Sequence, residues 1–135
     1  ASLQTFIDRF PQSERIDTCT VLIDELEYKL ELKAYDAANL YLKTGHFKAS
    51  IKAYENLLLE FPDTEYREEI YFNKLKASYQ LAMGSVVEKQ LERIDAAIKA
   101  YDTFEIRYPE SEYIPAANRY FRELKDRKEK LIHSK

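Results

Sequence analysis

One phrase occurs three times along this chain: Phe10-Pro11-Gln12-Ser13-Glu14, Phe61-Pro62-Asp63-Thr64-Glu65 and Tyr108-Pro109-Glu110-Ser111-Glu112. A turn that recurs at intervals of 51 and 47 residues marks a repeat protein, in which each unit buries its apolar face against the next. Proline lacks an N–H and disfavours α geometry in the residue before it, so each phrase ends a helix. The Ser or Thr is then placed to cap the helix that follows, and the Glu to meet the positive end of its dipole.

Between these turns the apolar residues recur every three or four positions, the period of a helix with one buried face. Ile16, Cys19, Ile23, Leu26, Leu30, Ala34, Ala37 and Tyr41 form one such stripe, predicting a long helix from Glu14 to Lys43. It ends at Thr44-Gly45, where glycine can take the left-handed cap. A second helix carries Phe47, Ile51, Tyr54, Leu58 and Phe61, and a third carries Phe72, Leu75, Tyr79 and Ala82 before Met83-Gly84-Ser85 breaks it. A fourth bears Val87, Leu91, Ile94, Ile98, Tyr101 and Phe104, and a fifth bears Ile114, Ala117, Phe121, Leu124 and Leu131. Pro115 falls in the first turn of the fifth, where its missing N–H has no intrahelical partner to lose. The first ten residues read as the end of one more helix, and the opening Ala1-Ser2-Leu3-Gln4 as the continuation of a longer protein.

The predicted fold is all-α, with about five helices plus an N-terminal helix stub. Residues 1–135 form a single helical-repeat domain punctuated at Pro11, Pro62 and Pro109. Only 2 Gly and 4 Pro interrupt a chain rich in Leu, Ala, Glu and Lys, which favours long helices over turn-rich β architectures. The 11 Tyr and 7 Phe fall mostly on the apolar stripes, where packing between stacked helices is their commonest use.

Charge and chemistry narrow the function. The 21 basic and 24 acidic residues are interspersed, with no sustained basic stripe for nucleic acid. No apolar run reaches the ~20 residues of a membrane span, so the fragment reads as soluble. Cys19 is alone and on an apolar face, a buried structural thiol with no internal disulfide to make. His46 and His133 stand in a turn and a charged terminus, and the spacings of zinc and di-iron helical sites are absent. Glu65, Glu68 and Glu69 cluster in a first helical turn, where the helix dipole accounts for them. With no phosphate loop or nucleophile constellation either, the chain is expected to be no enzyme and to use no cofactor or metal.

From Tyr41 through Gly45, Ala49-Ser50 and Tyr54 to Pro62 the spacing resembles the tetratricopeptide consensus. Tyr79, Gly84, Ala97, Tyr101 and Pro109 repeat it, with extra residues over 85–93. The proline spacings exceed the ~34 residues of an ordinary unit. Together with the phrase Ile23-Asp24-Glu25-Leu26-Glu27-Tyr28-Lys29-Leu30-Glu31-Leu32-Lys33, the aromatic-Pro turns resemble the BamD-like lipoproteins of the outer-membrane β-barrel assembly machinery, over nearly the whole chain and in the C-terminal half of the family's pattern.

That resemblance implies antiparallel helical repeats of the α-solenoid kind and a lipid-anchored scaffold on the periplasmic face of the outer membrane, its anchor upstream of residue 1. It implies protein partners: the barrel-forming subunit, other assembly lipoproteins and unfolded outer-membrane proteins. A general periplasmic tetratricopeptide adaptor of envelope or cell-division machinery is the alternative. Such arrays bind along the surface made by the first helix of each pair. Placing Tyr41 and Tyr79 on the consensus points Tyr35, Asn39, Lys43, Asn73 and Gln80 toward that surface as candidate partner-binding residues.

Overall fold

In a computed structural model, which describes residues 15–133, the chain is helical between short turns. The helices are α1 (Arg15–Lys43), α2 (Phe47–Glu60), α3 (Arg67–Met83), α4 (Val87–Arg107) and α5 (Ile114–His133). All five predicted helices are present, and Pro115 sits second in α5 as expected. The predicted N-terminal stub and the Pro11 turn lie outside the described residues.

The turn after α1 follows from Gly45. Its φ of 83° is the left-handed conformation that glycine adopts without penalty. His46 N–H then donates to the Tyr41 carbonyl at 2.8 Å and Gly45 N–H to Leu42 at 3.2 Å, the paired closure of a Schellman end. Gly84 ends α3 differently: its φ is −94°, and its N–H donates to the Gln80 carbonyl at 3.1 Å.

The two described Pro turns share one geometry that corrects the expected cap. Thr64 Oγ1 accepts from Tyr66 N–H at 3.2 Å, and Ser111 Oγ from Tyr113 N–H at 3.1 Å. Each hydroxyl bonds two residues ahead, in the turn, and each helix begins afterwards, at Arg67 and Ile114. Glu65 therefore precedes α3, and its first-turn acids are Glu68 and Glu69.

Two compact units divide the chain, one up to Ala34 and one from Tyr35 onward. In the first, Cys19 is buried, but Leu26 and Leu30 of the predicted stripe are each 51% exposed, beside exposed Val21, Leu22 and Tyr28. The apolar period of α1 therefore does not mark a buried face at Leu26 and Leu30.

The second unit holds the core. Here α2 packs on α3, α3 on α4, α4 on α5, and α3 also on α5. Phe72, Leu75, Tyr101, Phe104, Ala117 and Tyr120 form one cluster, and Ala82, Ile94, Ala97 and Leu124 another. Phe72 stacks on Tyr113 with centroids 4.5 Å apart, and Tyr79 on Tyr120 at 4.4 Å. Leu75, Ile94, Phe104 and Leu124 are fully buried, each burial favouring folding by about 1.5–3 kcal/mol.

The contacts also give the repeat length. Asn39 on α1 meets Asn73 on α3 at a separation of 34 residues, whereas Glu68 meets Ser111 and Tyr79 meets Glu123 at 43 and 44. The first step is thus an ordinary tetratricopeptide period. The second is longer because α4 has 21 residues against 14 in α2, an extension of about two turns.

Candidate partner-binding face

From Tyr35 on, α1 runs in the same direction as α3, since Tyr35 stacks on Tyr66 just ahead of α3, and Asn39 meets Asn73 a turn or two further along both. The Tyr35 and Tyr66 rings lie 4.3 Å apart and nearly parallel. Beyond them the two helices border a groove of about 360 Å³ lined by Asn39, Leu42, Lys43, Asn73, Lys76 and Gln80.

Four of the five sequence-predicted residues thus come together, and the fifth, Tyr35, lies one turn from Asn39 at the groove's end. The registers required this. Positions 35, 39 and 43 repeat at four-residue spacing and fall on one side of α1, and 73, 76 and 80, at steps of three and four, fall on one side of α3. Lys43 is exposed, and the other four predicted residues are half-buried.

A polar network fixes the groove's floor. Tyr54 reaches from α2 and donates its hydroxyl proton to Asn39 Oδ1 at 2.5 Å, and Asn73 Nδ2 donates to the same oxygen at 3.4 Å. Burial pushes the Tyr54 hydroxyl well above its usual range, as does neighbouring Tyr35, against a smaller opposing effect of Asn73. Burial likewise raises Tyr35; the Asn39 amide opposes it, and the negative charges of Glu69 and Asp36 add to it. These tyrosines stay protonated, so they hold the asparagines as neutral hydrogen-bonding groups.

Sequence reasoning passed over Lys76 and Leu42. Lys76 lies three residues from Asn73 and four from Gln80, so the neighbour rule for helix faces reaches it. A second groove, of about 330 Å³, opens on the other side of α3, bordered by Ile51, Tyr71, Leu81, Arg93, Lys99 and Ala100. The consensus register does not point to it, because it involves the second helix of each pair.

Cys19 is a buried free thiol, and exposed His46 shares a 2.8 Å hydrogen bond with Thr44 through Nδ1. Glu68 Oε2 accepts from Ser111 Oγ at 3.0 Å, which ties the start of α3 to the Pro109 turn. Among the described residues no group of His, Cys, Asp or Glu is arranged to hold a metal ion, and no helix is long and apolar enough to cross a membrane.

The family model described as YfiO, outer membrane lipoprotein, matches residues 1–94, from the start of the chain into α4. The chain belongs to the YfiO outer-membrane lipoprotein family. The match spans the phrase around Ile23, the Gly45 turn and the Pro62 turn, which carry part of the BamD-like resemblance; the Pro109 turn lies beyond it. No curated protein matches the chain. YfiO membership associates the protein with the outer membrane and implies protein partners there. The α1–α3 groove lies wholly within the matched residues.

Proposed function

We propose that this YfiO-family chain is a non-catalytic scaffold for protein–protein interaction in outer-membrane β-barrel assembly, contacting the barrel-forming subunit. It acts at the periplasmic face of the membrane, held there by a lipid anchor upstream of residue 1. The observation that carries this reading is the conjunction of YfiO membership with a groove between first-of-pair helices, the usual binding surface of tetratricopeptide arrays. Tyr35, Asn39, Lys43, Asn73 and Gln80 are its proposed contact residues. Half-buried amides beside aromatics suit an extended backbone, which is held by many modest hydrogen bonds.

Affinity purification of the tagged full-length protein from its own cells tests this. The barrel-forming subunit is expected among the recovered proteins. Its absence, with the tagged protein intact and at the membrane, would overturn the reading.

A further inference from the structure

Resting on that reading, the chemistry of the α1–α3 groove narrows what it takes. Its six lining residues supply two ammonium groups, three carboxamides and one leucine, and no carboxylate. Neither Lys43 nor Lys76 has an ion pair or hydrogen bond among the described residues, where the one salt bridge is Lys128 with Asp95 at 2.7 Å. Asp36 and Glu69 act on Tyr35, at the groove's other end. A protein of formal net charge −3 thus keeps a cationic stretch over a hydrogen-bonded polar floor.

We infer that the groove takes an extended acidic segment of a partner protein, with Asp or Glu side chains seated between Lys43 and Lys76. Asn39 is held in place by Tyr54 and Asn73, so this part of the floor is ordered before the ligand arrives and little entropy is lost there on binding. Gln80 and the second Asn73 donor proton remain to meet the segment's backbone carbonyls. The carboxylates supply charge-assisted hydrogen bonds, stronger than those between neutral groups. On α3 amides lie on both sides of Lys76, Asn73 before it and Gln80 after it, so the groove suits a chain passing through. A chain terminus would need only one carboxylate position.

The test uses the full-length protein and short labelled peptides of Ser and Gly carrying Glu, Gln or Lys at alternate positions, each with an amidated C-terminus, followed by fluorescence anisotropy. The Glu peptide is expected to bind, with affinity falling as salt screens the contact, and the Gln and Lys peptides to bind roughly tenfold or more weakly. The K43E/K76E variant should lose the Glu peptide and gain the Lys peptide. Lys43 is exposed and Lys76 half-buried, so circular dichroism is used to check that the variant keeps its helical content. Equal binding of all three peptides, binding of the Glu peptide only when it is remade with a free C-terminal carboxylate, or an unchanged preference in K43E/K76E would overturn the inference. Failure here is distinguishable from failure of the scaffold reading: the former leaves co-purification of the barrel-forming subunit intact, the latter abolishes it in the wild type.

Discussion

Tyr54 and Tyr101 occupy the same place, eight residues ahead of Pro62 and Pro109, and do the same work. Each sends a hydroxyl from the second helix of a pair to an asparagine on a neighbouring first helix, Tyr54 to Asn39 and Tyr101 to Asn118 at 2.6 Å. Sequence periodicity placed both rings on the packed face. It did not reveal their polar ends, because a hydrogen bond across helices depends on a crossing geometry that a one-dimensional pattern does not contain. Tyr79 shows the same division: its ring stacks on Tyr120, and its hydroxyl donates to Glu123. Burial, chiefly, and this carboxylate push its pKa from 10.0 up to about 12. Because folding favours the neutral phenol, the stabilisation is complete below pH 10 and is lost as the pH rises towards 12. Urea unfolding followed across this window should show stability falling, and falling less steeply in Y79F. Part of the fall should survive in the variant, since Tyr54 is shifted in the same direction. Parallel wild-type and Y79F curves would show that the Tyr79 proton plays no part.

Element boundaries were the most legible feature. Pro62, Pro109 and Gly45 announce the helix ends because each residue type forbids or permits specific backbone angles, a local property. The extra residues over 85–93 were legible as a departure, yet their role was not. They add turns to the start of α4, where Val86 and Val87 are exposed and Gln90 is buried. Gln90 donates to the Ala82 carbonyl at the end of α3 at 3.1 Å and accepts from Arg127 Nε on α5 at 3.1 Å. One amide thus fastens three helices, and Arg93 adds a bond to Ser85 at 2.7 Å. The Q90L variant keeps the volume and loses both bonds. It is expected to unfold at lower urea, by about 1–2 kcal/mol of stability. A midpoint equal to wild type would mean that apolar packing alone holds the extension.

For the molecule as a whole, family and fold were readable because the repeats write the same packing problem several times over. The candidate site was readable in part. Four predicted residues line one groove because helical spacing fixes which side chains share a face, while Lys76 and the Tyr54 network emerge only when α1, α2 and α3 are brought together. The α1 stripe shows where pattern and packing part: Leu26 and Leu30 keep the period of a buried face and are half exposed. The central claim is that the face between α1 and α3 meets the barrel-forming subunit. Photo-crosslinking in living cells tests it most directly, with a photoreactive residue placed at Lys43 or Gln80 in the groove and, for contrast, at Lys99 across α3. Crosslinks to the barrel-forming subunit are predicted from positions 43 and 80 and not from 99. Crosslinks from 99 alone would contradict the account and move the contact to the opposite groove.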